Sequence, residues 1–209
     1  QYPMAMTTQT HDIVVLGATP AGLAAAYHLA KKKLDVAVVD SPHESIECPL
    51  MDWLPKTFFQ VAGLPKGLAK SAKAEAFSQV CYHNAAFNNV VEYKSRGDLG
   101  HFVHVPALIK ALKAAAAKAG AKMRPSTTSP AIRLDEDHVE IIGSRHVRGS
   151  MVIIAQNRPN EVLSELSMPL RLVPGSSLLA SGLDIPVGPR RAETAKLEGA
   201  LHVVELRER

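Results

Sequence analysis

The chain has 209 residues, 46% hydrophobic and 21% charged, with a formal net charge of +4. At roughly 100 to 200 residues per domain that length buries a full core in one domain or one and a fraction, and no stretch approaches the roughly 18 consecutive apolar residues of a membrane helix, so a membrane span is excluded. The basic residues are spread along the chain without interleaved aromatics, so no nucleic-acid partner is expected, and two cysteines in no paired spacing, Cys48 and Cys81, fit a reducing compartment, by default the cytoplasm.

Residues 1–10, "QYPMAMTTQT", have neither a basic region nor an apolar one behind it and read as a tag or disordered tail outside the fold. "DIVVL" at 12–16 is a continuous apolar run ending at glycine, the pattern of a strand buried on both faces of a parallel sheet. An alanine-rich helix is predicted from Pro20 to about Lys32, with the proline in the first turn where its missing N–H costs nothing. "DVAVVD" at 35–40 is a second buried strand, and the three elements make one right-handed βαβ unit. The "KKK" at 31–33 sits at the helix end, where cations suit the dipole and remain solvated.

Between residues 41 and 100, Pro42, Pro49, Pro55 and Pro65 break any long element, and only loop and short strand are expected there. "PALIKALKAAAAKA" at 106–119 places Leu108, Ile109, Leu112 and Ala116 on one face, with Lys110, Lys113 and Lys118 mostly outside it, and stops at Gly120, so it is an amphipathic helix. "AIRL", "HVEII" and "HVRG" within 131–148 alternate as a small antiparallel meander, and "MVIIA" at 151–155 is another fully buried strand. The Pro- and Gly-rich stretch from 161 to 209 reads as an extension, the start of a further sheet or substrate domain, with "ALHVVEL" at 200–206 as its strand. The principal domain is therefore expected over 11–160.

The turn "GATPAG" at 17–22 approximates the G-x-G-x-x-G of dinucleotide sites. The first glycine allows the sharp exit from the strand, the second lets a pyrophosphate meet bare backbone, and the third lets helix and strand pack closely. Gly17 and Gly22 retain the first and third of these roles, and Thr19 stands at the second, where it narrows the approach but brings a hydroxyl able to donate to a phosphate. The helix N-terminus aims free N–H groups at an anion, and Asp40, ending the second strand, is placed to accept hydrogen bonds from a ribose. A plain α/β domain whose strand happens to end in aspartate remains the alternative.

In these motifs, in this order, the sequence resembles the FAD-binding domain of flavoprotein monooxygenases and the related geranylgeranyl reductase-like oxidoreductases. "VVLGATPAGLAAAYHLAKKKLDVAVVD" looks like their opening motif, "HVPALIKALKAAAAKAGAKM" like their helix and following strand, and "IRLDEDHVEIIGSRHVRGSMVIIA" like their three-stranded meander and core strand. The fold implied is α/β: an FAD/NAD(P)-binding Rossmann-like domain with a parallel core sheet and a three-stranded β-meander. The likeness further implies that Gly17, Thr19, Ala21 and Gly22 lie along the FAD pyrophosphate, Asp40 holds the adenosine ribose with Ser41 beside it, and Ser129 approaches the adenine through its backbone.

The sequence departs from those relatives in three places. Val105 stands where many carry an arginine three residues before Leu108, which withholds a cation from the cofactor. Ala155, Gln156 and Asn157 replace their "A-D-G" or "A-T-G", Asn being the residue after Gly that best tolerates positive φ. Their downstream G-D motif and substrate domain are not found before Arg209. The resemblance thus implies the N-terminal FAD-binding portion of a flavin-dependent oxidoreductase, binding FAD weakly or not at all and acting on a small molecule that the sequence does not identify. The alternative is a non-catalytic nucleotide-binding-like or scaffold domain, while an NAD(P) dehydrogenase domain fits less well because the meander is foreign to the plain dinucleotide fold.

Other chemistry has little support. His101 and His104 in "HFVH", and Cys81 and His83 in "CYH", lack further ligand pairs and read as ordinary histidines, so no metal is expected. "GLPKGLAKS" at 63–71 lacks phosphate-loop spacing, no G-x-S-x-G occurs, and Trp53 and Cys48 read as packing residues. No residue marks itself as a general acid or base.

Overall fold

Alternate residues of the two apolar strands point to opposite faces, and both faces are covered, which is why neither strand shows a polar side. The computed structural model describes residues 9–40, 51–84, 86, 88–127, 130–144, 146–157, 160–168 and 199–204. Strand β1 (Gln9–Leu16), helix α1 (Pro20–Lys31) and strand β2 (Val36–Asp40) form the expected unit, with β1 and β2 parallel. There follow β3 (Met51–Pro55), a 3-10 turn at Phe58–Gln60, α2 (Leu68–Ser71), β4 (Glu75–Phe77), β5 (Gln79–His83), β6 (Val90–Lys94) and β7 (Gly100–His104). Then come α3 (Val105–Ala119), β8 (Lys122–Pro125), β9 (Ala131–Leu134), β10 (Val139–Ile142), β11 (His146–Ile154), α4 (Asn160–Glu165) and β12 (Ala200–Val204).

The main sheet has six strands in the order β8-β2-β1-β11-β10-β9. The first four are mutually parallel and the last two run antiparallel, so the meander extends the parallel core as the sequence pattern implies. On one face Ile13, Val15, Val36 and Val38 pack with Leu23, Ala26 and Ala30 of α1 and Leu108, Leu112 and Ala116 of α3. On the other, Val14, Leu16, Ala37 and Val39 pack with Ile132, Ile141, Val147 and, from α4, Val162. Small residues on α1 let the two helices lie close to the sheet and to each other. Among the described residues, no helix is long and apolar enough to cross a membrane.

Two expectations need correction. "HVRG" and "MVIIA" are not two strands but the single nine-residue β11, which runs through Gly149. A Cβ there would lie 2.7 Å from Val14 Cγ2, so the glycine marks a close approach to β1 rather than a break. Nor is the later part of β11 fully buried: Met151 is exposed and Val152, Ile153 and Ile154 are half-buried, because the buried cluster under α1 and α3 centres on β1 and β2 and takes in Ile153 only at its margin. The stretch from 51 to 100 holds short strands, as expected: β3, β4 and β7 make one three-stranded sheet, and β5 and β6 make another with β12. These strands run only three to five residues, and β3 and β6 are exposed almost along their whole length, so they have little of the alternation that marks a half-buried strand.

At the start of β2 an ion cluster ties the sheet across three strands. Lys122 Nζ of β8 lies 2.9 Å from Asp35 Oδ1, and the buried His11 Nδ1 of β1 lies 3.1 Å from the same oxygen, close enough for an ion pair but off the line of a hydrogen bond. Asp12 Oδ2 accepts the Asp35 amide at 2.8 Å. Partial burial pushes the Asp35 carboxyl up, and Lys122 and His11 more than offset it, leaving the acid below its usual range. An acid depressed on folding contributes stability in full above its unfolded pKa, and that contribution is lost as pH falls through the lower folded value. Urea midpoints measured through the acid range below about pH 4 should therefore fall more steeply for the wild type than for Asp35→Asn, and parallel profiles would show that the cluster contributes nothing.

Candidate functional site

The carboxyl ends of β1, β2 and β11 meet where the chain reverses its direction of travel across the sheet. α1 carries β1 to β2 on one side, and β11 comes to lie against β1 on the other. In open parallel sheets that switch point leaves a crevice beyond the strand ends.

Gly17 leaves β1 with φ +110° and donates its N–H to Val39 O at 2.9 Å. A Cβ on Gly17 would lie 2.6 Å from Ala155 O, and one on Gly22 would overlap Gly17 O and reach Ala155 Cβ at 3.0 Å. Both glycines are thus demanded by the closeness of the turn to the end of β11, as well as by the positive φ at Gly17.

Thr19 is the N-cap of α1 in extended conformation. Its Oγ1 accepts the Gly22 N–H at 3.2 Å and donates to Ala155 O at 2.6 Å. The hydroxyl is therefore committed inside the protein and is not the phosphate donor that the sequence allows for; the residue is 6% exposed. Pro20 at the first helical position has no N–H, which leaves the amide of the exposed Ala21 as a first-turn donor without an intrahelical acceptor. No acid lies in that first turn, so nothing there competes with an anion for the positive end of the helix dipole.

Asp40 ends β2, half-buried. Its carbonyl accepts the Ser126 amide at 2.7 Å, and its Oδ2 lies 2.6 Å from Lys113 Nζ of α3. Gln156, the residue after Ala155, has its Oε1 buried without a hydrogen-bond partner among the described residues, an acceptor open to a hydroxyl or N–H donor. Lys113 and Gln156 are the site residues that the sequence did not single out. Lys113 meets Asp40 across 73 positions, and no local spacing signals such a contact.

The structure thus places Gly17, Thr19, Ala21, Gly22 and Asp40 at the carboxyl ends of β1 and β2, while Ser41, Ser129 and Cys48 lie outside the described residues. Val105 is buried as the first residue of α3, so no cation stands there. Asn157 does not adopt positive φ, and its tolerance for that conformation goes unused.

The remaining candidates have structural partners. His104 caps α3, its Nδ1 accepting the Ala107 amide at 3.1 Å, and His101 stands edge-on to Phe59. His83 Nε2 lies 2.9 Å from His202 Nδ1. Among the described residues no three His, Cys, Asp or Glu side chains group so as to hold a metal ion. Trp53 is 48% exposed and meets Phe77 edge-on, so it is only partly the packing residue expected. "GLPKGLAKS" yields the four-residue α2, and a cleft of about 520 Å³ between α2 and α3, with Lys66, Ser71, Lys73 and Lys110 in its walls, shares no residue with the strand-end crevice.

Comparison with known proteins gives a consistent picture. The family model described as pyridine nucleotide-disulphide oxidoreductase matches residues 11–155. No curated protein matches the sequence. Solved structures do match. A geranylgeranyl bacteriochlorophyll reductase-like protein from Thermoplasma acidophilum aligns with TM-score 0.57 and 19% identity over 76% of this chain and 42% of its own. The halogenase PltM, in complex with phloroglucinol and FAD, aligns with TM-score 0.59 and 19% identity over 79% of this chain and 37% of its own. The p-nitrophenol 4-monooxygenase PnpA from Pseudomonas putida DLL-E4 aligns with TM-score 0.58 and 18% identity over 73% and 42%. At such identities the likeness establishes the Rossmann-like flavoprotein fold, and the chain spans less than half of each of these proteins.

If Thr19 is a cap and tie, its removal is felt in stability. Thr19→Val loses the cap, about 1 kcal/mol, and leaves Ala155 O without its donor, about 1 to 3 kcal/mol, whereas Thr19→Ser should stay within about 0.5 kcal/mol of the wild type. Equal denaturant midpoints for all three proteins would remove Thr19 from that role.

Proposed function

The chain belongs to the pyridine nucleotide-disulphide oxidoreductase family, and on that premise we propose that it is the FAD-binding portion of a flavin-dependent oxidoreductase of the monooxygenase or reductase type, acting on a small molecule. The observation that carries the reading is the arrangement at the strand ends, where a glycine turn held against Ala155 and a helix N-terminus free of acid lie beside an aspartate at the end of β2. The meander β9-β10-β11 favours an FAD domain over a plain NAD(P) domain. We take residues 11–160 as the cofactor domain and 161–209 as the start of a further unit.

The residues present fit the cofactor: the amide of the exposed Ala21 at an acid-free helix start suits a pyrophosphate, and the orphaned Gln156 Oε1 suits a donor group. In this reading Gly17, Ala21 and Gly22 line the pyrophosphate with backbone, Thr19 shapes the turn, Asp40 accepts from the adenosine ribose, and Ser41 and Ser129 flank the adenosine. The flavin, when bound, supplies the redox chemistry. The protein's part is to orient it and to exclude water from its phosphates.

A second reading, a nucleotide-binding-like scaffold without chemistry, draws support from the engagement of both the Thr19 hydroxyl and Asp40 Oδ2 within the protein. With the Thr19 hydroxyl engaged and the Val105 position uncharged, two contacts of about 1 kcal/mol or more each are missing, which weakens FAD binding by about one to two powers of ten. The purified protein should therefore be colourless and should take up added FAD weakly, as followed by its visible spectrum and by calorimetry. Asp40→Ala should weaken FAD or ADP binding by about ten-fold or more, the worth of a charge-assisted bond. A yellow preparation with stoichiometric flavin would show the missing contacts to be unimportant, and an absence of FAD and ADP binding at millimolar concentration would favour the scaffold.

A further inference from the structure

The small sheet of β12, β5 and β6, with β5 in the centre, turns its polar side inward and its apolar side to solvent. Paired residues share a face and neighbours along a strand alternate, so the register sorts the side chains. On one face lie Cys81 and His83 of β5 with Ala200 and His202 of β12. Cys81 and Ala200 are buried, and the His83–His202 contact at 2.9 Å joins the two strands. The charged residues of these strands, Glu92 and Lys94 of β6, belong to the same face. On the other face lie Val80 and Tyr82, Val91 and Tyr93, and Leu201 and Val203. None of these six carries a charge, yet Tyr82, Val91 and Tyr93 are each more than half exposed, and Val203 is exposed as well. A sheet with one covered face ordinarily shows the opposite arrangement, apolar in and polar out. From this inversion we infer that the outer face is an interface, and that its occupant is the same face of a second copy of this chain.

Charge and area both point to a second copy. The chain carries a formal net charge of +4, so two copies repel where their charged surfaces meet, and this face brings no charge to the contact. A two-fold axis through a sheet face sets the patch against itself, and two sheets stacked in this way lie about 10 Å apart with their strands roughly aligned. Valine and tyrosine side chains interdigitate there, while the tyrosine hydroxyls reach water at the rim. The four exposed side chains offer roughly 400 Å² per copy, the size at which an exposed apolar patch marks an interaction site. With the half-buried Val80 and Leu201 and the rim, two copies together remove about 1,000 Å² from water, the lower end for a specific interface. That area suits a reversible dimer of micromolar strength, and the inference stands apart from the nucleotide reading.

The test is sedimentation equilibrium on the full chain from about 1 to about 200 μM, a range that brackets a micromolar dissociation constant, for the wild type, Tyr82→Lys, Val91→Lys and Val90→Lys. The wild type should pass from monomer to dimer across that range. Tyr82→Lys and Val91→Lys should each weaken the dimer by at least about ten-fold, since the two-fold axis buries the added charge twice. Val90→Lys puts the same charge one residue away on the opposite face and should stay within about three-fold of the wild type, as a surface change does. A wild type that is monomeric at every concentration overturns the second copy as occupant, whatever the variants do. A dimer that Tyr82→Lys and Val91→Lys leave unchanged, or one that Val90→Lys and Val91→Lys weaken alike, as pairing along the edge of β6 would require, overturns the outer face as the interface.

Discussion

The carbonyl oxygen of Ala155 is the point on which the architecture of the crevice turns. It accepts from the Thr19 hydroxyl at 2.6 Å, and it lies where a Cβ on Gly17 would have to go. Because that oxygen presses on the turn, β1 must leave the sheet through a residue without a side chain, and α1 must begin at once with a cap able to reach it. The same contact ties β11, some hundred and thirty residues further along the chain, to the first βαβ unit. Leaving a part-buried carbonyl without its donor is costly, so the bond from Thr19 holds the end of β11 to the turn and the helix start.

A second theme lies in the acids that bracket β2. Asp35 precedes the strand and takes Lys122 at the start of β8; Asp40 ends it and takes Lys113 from α3. Both lysines come from the α3-β8 hairpin of helix and strand, so the two pairs fasten that unit to β2 at either end. The meander has its own counterpart: the buried Glu140 of β10 stands between Arg133 of β9 and Arg148 of β11, its register partners on either side. Charge pairs here fix register, which an apolar sheet by itself specifies only through alternation.

Residue patterns alone were enough to place the βαβ unit, α3 and the meander, since each rests on a local period: continuous apolar runs for strands covered on both faces, a 3.6-residue stripe for α3, alternation for β9 and β10. The need for Gly17 and Gly22, and the place of Asp40 at the end of β2, were legible for the same reason, being set by position within one turn and one strand. What tertiary structure alone decided are the contacts with no local signature. The sequence offered the Thr19 hydroxyl to a phosphate, and the end of β11 claimed it instead; Lys113 looked like one surface lysine of three until β2 brought Asp40 to it; Gly149 looked like a strand end until Val14 proved to be what it makes room for. The short strands of residues 51–100 are too brief to establish a period, and part of their pairing is with a distant partner, as β5 with β12. Periodicity records what a segment buries, whereas a hydrogen bond or ion pair between distant residues depends on where the completed fold sets them.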